Sequence, residues 1–264
     1  MPQIVYYISS YADLLKTGQI KDGEQINVAV PTGNFGNILA AYIAMLMGTP
    51  IDKLICASNK NNILTDFINT GVYDKNRDFY ATASPSMDIL ISSNLERLLY
   101  LLCGKDNNQI KGWFGGLSKE GRYEVGADVF ALLKERFCAG CCDDLETFDT
   151  IKKIYQDHGY VLDTHTAVAV KVYQDYKAKT GDNKKTLIAR TANPYKFSES
   201  VLAAITGEPN SELGEFDTID KLFKLTNMPI PKSLSELKDK EIRFKKVIPK
   251  AGLLEYVLGE LGGV

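Results

Sequence analysis

Apolar residues fall at helical spacing over residues 3–16, where Ile4, Tyr7, Ile8, Tyr11, Leu14 and Leu15 share one side and Gly18 offers a stop. The period then changes. Residues 25–30 read as a short strand running into Pro31. A tight stretch, Thr32-Gly33-Asn34-Phe35-Gly36-Asn37, turns the chain into a helix over 38–47, rich in Ala and Leu and closed by Gly48. Residues 54–57 predict a second strand, 63–70 a helix ending at Gly71, and 79–82 a third strand. Strand, helix, strand, helix, strand at short spacing argues a parallel sheet with right-handed crossovers.

Downstream, residues 92–102 predict a strongly apolar helix, 106–124 a looser stretch around the single tryptophan, Trp113, and 126–136 another helix. Residues 137–142 read as a strand and 145–156 as a helix. Thr164 is placed to cap a helix over 167–179 through its hydroxyl. A strand over 186–190 and a helix over 197–206 follow. Beyond Glu208 the chain is polar and punctuated by Pro229, Pro231 and Pro249. Residues 209–264 are therefore expected to form a tail packing on the surface of a domain that spans 1–208. The expected class is α/β, a parallel sheet with helices on both faces. It opens on a helix, with no strand before it.

Composition changes this picture mainly by exclusion. The 31 basic and 33 acidic side chains give a net charge of −2, and basic residues gather only in the pairs Lys184-Lys185 and Lys245-Lys246. Nucleic acid and anionic membranes are poor partners for such a chain. No apolar run approaches the ~20 residues of a membrane span. The first residues lack the basic start and apolar stretch of a signal peptide, so a cytoplasmic location is expected. Five cysteines, an odd number, do not make a disulfide framework. Cys138-x-x-Cys141-Cys142 offers half of a zinc site, but neither His158 nor His165 completes it with a second pair of ligands. The expectation is a buried strand, with cysteine as a small apolar residue and no metal.

Candidate chemistry concentrates between residues 28 and 41, where a strand ends, a loop with two glycines follows, and a helix begins. Ligands of parallel sheets sit beyond the carboxyl ends of the strands. Main-chain N–H groups and the positive end of the helix dipole meet there. Gly33 and Gly36 are expected to permit positive φ and close approach of an anion, with Asn34 and Asn37 adding amide donors. The loop reads as a phosphate cup. It is not a dinucleotide loop: the spacing is Gly33-x-x-Gly36, and the following strand ends in Ser58 rather than an acid. Nor is it a P-loop, because it holds no lysine.

Pro31-Thr32-Gly33-Asn34-Phe35-Gly36-Asn37 closely resembles the phosphate-binding loop of threonine synthases, fold-type II pyridoxal-phosphate enzymes related to the tryptophan synthase β chain. Four further blocks are similar and come in family order. They are residues 3–7, residues 84–98 opening on Ser84-Pro85-Ser86, residues 162–167 and residues 191–197. The resemblance implies a tryptophan synthase β-like large domain, with Gly33, Asn34, Phe35 and Asn37 on the phosphate of pyridoxal 5'-phosphate. It places the Thr191 hydroxyl near the pyridine nitrogen. The family's reaction converts O-phosphohomoserine and water to threonine and phosphate through a Schiff base, proton removals and γ-elimination.

One element of the family pattern is absent. The Schiff-base lysine lies upstream in a Phe-Lys-Asp context, and no such segment occurs here; the only Phe-Lys pairs are Phe223-Lys224 and Phe244-Lys245. The resemblance therefore implies an incomplete domain, the C-terminal portion of an enzyme, which is inactive alone and needs a missing N-terminal half as partner. Two other readings stand beside it: a serine or threonine dehydratase relative, and a non-catalytic assembly module. Among secondary candidates, Ser84 and Ser86 could meet an anion but read better as turn residues. His165 reads better as a hydrogen-bonded structural histidine than as an acid or base, and Arg190 could bind an anion or pair with a carboxylate.

Overall fold

The computed structural model describes residues 2–208, 213–243 and 245–262, which leaves Phe244 of the second Phe-Lys pair outside the described residues. The chain divides into two compact units, Met1–Met228 and Pro229–Val264.

In the first unit, α1 (Ile4–Lys16) leads to β1 (Ile26–Pro31), α2 (Gly36–Leu46), β2 (Ile51–Ser58), α3 (Ile63–Thr70) and β3 (Val72–Asp74). Then come α4 (Leu95–Leu102), α5 (Asn107–Lys119), β4 (Arg122–Glu124), α6 (Ala127–Arg136) and β5 (Phe137–Cys141). The unit ends with α7 (Asp144–His158), α8 (Thr164–Thr180), β6 (Thr186–Ile188), α9 (Ser198–Thr206) and α10 (Glu215–Thr226), so it runs past residue 208. The second unit holds α11 (Lys232–Ser235) and α12 (Leu253–Glu260), neither of which buries a side chain. Among the described residues no helix is long and apolar enough to cross a membrane.

The main sheet has the order β5-β2-β1-β6 and is parallel throughout. Both faces of its centre are covered, which is why β1 is buried at every position. Val28, Val30, Leu54 and Cys56 point into the core shared with α1, α2, α3, α4 and α6. On the other face, Ala29, Ile55 and Ala57 meet Val168, Ala169 and Val172 of α8. The expected α/β architecture with helices on both faces is what the chain adopts.

Four local expectations are corrected. Residues 79–82 are extended but join no sheet, because side chains take the bonds that a ladder would use. Tyr80 N donates to Asn61 Oδ1 at 3.0 Å, Asn61 Nδ2 donates to the Tyr80 carbonyl at 2.8 Å, and Thr82 N donates to Asp88 Oδ2 at 2.9 Å. The third strand is instead Val72–Asp74, antiparallel to Arg122–Glu124. Residues 106–124 are ordered: Asp106 caps α5 by accepting from Asn108 N and Gln109 N, and Ile110 and Leu117 are buried. The cap of α8 is Asp163 rather than Thr164. Finally, β5 is an edge strand, so Cys142 beyond it is buried while Cys141 is exposed.

Candidate functional site

The loop predicted to cradle phosphate joins the buried strand β1 to the N-terminus of α2. Thr32 N still bonds the Ala57 carbonyl at 2.8 Å, so the chain leaves the sheet only after that residue. Phe35 then adopts φ 62° and packs its buried ring 5.9 Å from Phe137. Gly36 opens the helix, which has no side-chain cap. Among the described residues no acceptor meets the main-chain N–H groups of residues 33–38. Six donors at the positive end of a helix are what an anion site requires. Nearby, Ser58 Oγ at the end of β2 is a buried hydroxyl with no partner among the described residues.

The carbonyls of the same loop are occupied. Ser92 Oγ donates to the Gly33 carbonyl at 2.8 Å, and Asn94 donates to the Asn34 carbonyl through both N, at 3.1 Å, and Nδ2, at 2.7 Å. A clasp formed by residues 84–94 thus takes the acceptors and leaves the donors free. The clasp also corrects the expected role of the glycines. Neither Gly33 nor Gly36 has positive φ; that conformation belongs to Phe35. A Cβ on Gly33 would instead lie 2.6 Å from the Ser86 carbonyl oxygen, so glycine is needed there for close packing.

Asn37 is held by Tyr7, whose hydroxyl donates to Asn37 Oδ1 at 2.6 Å and leaves Nδ2 as a fixed donor. Burial pushes the Tyr7 hydroxyl well above its ordinary pKa, so it stays a donor across the physiological range. Both residues line a cavity of about 350 Å³ together with Gln3, Arg190 and Thr191. The cavity exists because β6 runs parallel to β1, Ala29 facing Ile188, so the chain beyond β6 opens on the same edge as the loop. The structure thereby brings Asn37 and Thr191 together. Gly33 and Asn34 lie on the loop outside this cavity, Asn34 exposed, and Phe35 contributes main chain only. No lysine lines the cavity among the described residues. Arg190 donates to Tyr160 Oη at 3.1 Å and lies over its ring.

Ser84 and Ser86 are turn residues of the clasp. Ser84 is buried against Asn59 Nδ2, which also donates to Thr82 Oγ1 at 2.8 Å and Asp88 Oδ1 at 2.8 Å. His165 is buried and accepts from Ser86 N through Nε2 at 3.1 Å. Asp163 is fully buried; burial works to raise its carboxyl, and hydrogen bonds from His165 and Thr166 overcome that and hold it below the ordinary value. Sequence reading passed over Tyr7, Asn59, Asn61, Asp88 and Asp163. The available signal was several short polar residues flanking the ends of predicted strands, which a turn explains equally well.

Comparison with known proteins agrees with this geometry. The family "Threonine synthase, C-terminal" matches residues 166–257. Human threonine synthase-like 1 is 43% identical over 206 residues, covering 78% of this chain and 27% of that protein. Threonine synthase from Saccharomyces cerevisiae is 36% identical over 256 residues, covering 92% of this chain and 49% of that protein. The crystal structure of threonine synthase from Brucella melitensis, described as bound to pyridoxal phosphate, superposes with a TM-score of 0.82 at 32% identity, covering 98% of this chain and 50% of that one. The chain spans about half the length of these two synthases, and about a quarter of the human relative.

Proposed function

We propose, for a chain that belongs to the threonine synthase family, that it forms the phosphate-holding wall of a pyridoxal-phosphate site in an enzyme converting O-phosphohomoserine and water to threonine and phosphate. The observation that carries this reading is the set of unmet N–H donors at residues 33–38, opening beside the cavity that Asn37 shares with Thr191. Those main-chain donors and the α2 dipole hold the phosphate ester. Asn37 Nδ2, oriented by Tyr7, supplies a further donor. The Thr191 hydroxyl serves the ring nitrogen, without the charge that a carboxylate would bring. Bound there, the cofactor supplies an electron sink for carbanion chemistry at the substrate.

The amine that anchors the cofactor comes from outside this chain, consistent with a cavity that no described lysine lines. The rest of the protein docks at β6, which has a strand neighbour on one side only, and at the adjoining face of α1, where Val5 and Tyr6 are 62% and 64% exposed. A non-catalytic assembly module is the second reading, and the absence of a cavity lysine is the observation in its favour.

Two measurements test these readings. Pyridoxal phosphate is titrated into the chain by absorbance, and phosphate release from O-phosphohomoserine is followed with and without an N-terminal half from a family member. Saturable cofactor binding, with phosphate release only in the reconstituted complex, is expected. Robust release by the chain alone would overturn the placement of the amine. A reconstituted complex that binds cofactor and releases nothing would favour the second reading.

A further inference from the structure

Ser86 faces two ways. Its N–H donates to His165 Nε2 at 3.1 Å, and its carbonyl oxygen lies against Gly33, 2.6 Å from where a Cβ would stand. One peptide segment therefore links a buried histidine to the phosphate loop. A main-chain N–H can only donate, so Nε2 carries no proton. The other ring nitrogen, Nδ1, lies 3.4 Å from Asp163 Oδ1 and 3.3 Å from Thr164 Oγ1. Asp163 itself is buried, capping α8 by accepting from His165 N at 2.9 Å and Thr166 N at 3.2 Å. The imidazole also packs on Phe197 at 4.6 Å. Phe197 closes the short turn Pro194–Phe197 that follows Thr191.

We propose that His165, neutral and protonated on Nδ1, is a positioning residue that sets the height of the 33–37 loop through Ser86 and registers it against the Thr191 turn through Phe197. The functional part of this proposal rests on reading the loop as a phosphate cup; the mechanical part does not. Asp163 fixes which nitrogen carries the proton, in the manner of the carboxylates that orient metal-bound imidazoles. The bare nitrogen then receives Ser86. Protonation of Nε2 would set two donors against each other and push the clasp toward Gly33, where no room exists. Ser92 and Asn94 hold the loop from the same segment, so a shift of Ser86 is passed directly to the carbonyls of Gly33 and Asn34.

Two substitutions separate positioning from mere filling. In His165→Gln the amide oxygen can stand in for Nε2 and receive Ser86 N–H; in His165→Asn the polar atoms reach only the Nδ1 position. The nitrogen-15 spectrum of the wild-type imidazole, amide spectra of the variants, and titrations with inorganic phosphate and pyridoxal phosphate are the readouts. Expected are an unprotonated Nε2, displaced amide signals for residues 33–37 in His165→Asn, and phosphate binding about tenfold weaker there, the order of effect seen for outer partners that orient ligands. His165→Gln restores both. A proton on Nε2 in the wild type would overturn the proposal even if neither variant folds, as would unshifted 33–37 amides in a folded His165→Asn. Should the wild type bind neither phosphate nor cofactor, the cup reading fails, while the tautomer and amide shifts still decide the mechanical claim.

Discussion

Gly33→Ala tests whether the loop is shaped by contact with the clasp. The added Cβ lies 2.6 Å from the Ser86 carbonyl oxygen and 3.5 Å from Met87 Cα. Both are main-chain atoms and both are tethered, Ser86 N by His165 and Met87 N by the Ser84 carbonyl at 3.0 Å. The obstruction therefore cannot swing aside as the end of a side chain could. Room for the methyl requires the two segments to part by roughly half an ångström or more, measured against ordinary contact distances. Overpacking of this kind costs about 1–3 kcal/mol. In a unit of this size that lowers the melting midpoint by roughly 2–12 °C, at about 2–4 °C per kcal/mol. Gly36→Ala is the internal control. Its Cβ meets Asn94 Nδ2 at 3.4 Å, an ordinary contact, and Gly36 has no positive φ. That change is expected to be neutral or to stabilise by up to about 1 kcal/mol through the unfolded chain. Urea denaturation followed by circular dichroism compares the two variants. Equal stability would refute the packing role assigned to Gly33. Loss of phosphate binding without loss of stability would locate its importance in anion approach instead.

Tyr7→Phe removes the hydroxyl that orients Asn37; about 1 kcal/mol of phosphate affinity, or roughly fivefold, should go with it, read by titration with inorganic phosphate. Unchanged affinity would mean that Asn37 Nδ2 is not a ligand. Phe35→Ala empties a buried site beside Phe137 and should destabilise by about 3–5 kcal/mol; a loss under 1 kcal/mol in the same denaturation experiment would show the loop collapsing without penalty. Asp182 links α8 and the β6 approach to β1. Burial works to raise its carboxyl, but bonds from Lys184 N, Asn27 Nδ2 and Tyr176 Oη hold it down to about 2. A depressed folded-state pKa contributes stability that is present above the ordinary carboxylate value and lost as pH falls toward 2. Asp182→Asn should therefore cost stability at pH 6 and flatten the acid limb below about pH 4. An acid limb identical to wild type would remove Asp182 from that role.

What could be read from residues alone was what depends on neighbours in sequence. The loop 32–37 announces its turn through glycine and asparagine, and β1 and β2 announce a sheet buried on both faces through unbroken apolar runs. Adjacent parallel strands β1 and β6 then follow from βαβ logic, and with them the meeting of Asn37 and Thr191 in one cavity. The misreadings share a cause as well. Residues 79–82 look like a strand because Phe79 and Tyr80 favour one; what decides otherwise is Asn59, Asn61 and Asp88, whose bonds to that segment span 6–29 residues. Gly33 suggests positive φ to any local reading, yet its neighbour is Ser86, brought against it by the fold. Tyr7 counts as one aromatic among many until it reaches Asn37 across 30 residues, and His165 as a helix-start histidine until it receives Ser86 across 79. The donors of the phosphate cup belong to a local pattern, whereas the residues that aim them act through contacts that only the folded chain creates. Substitutions at Tyr7, Ser86 and His165 should accordingly alter how well the cup binds while leaving its glycine and asparagine pattern intact.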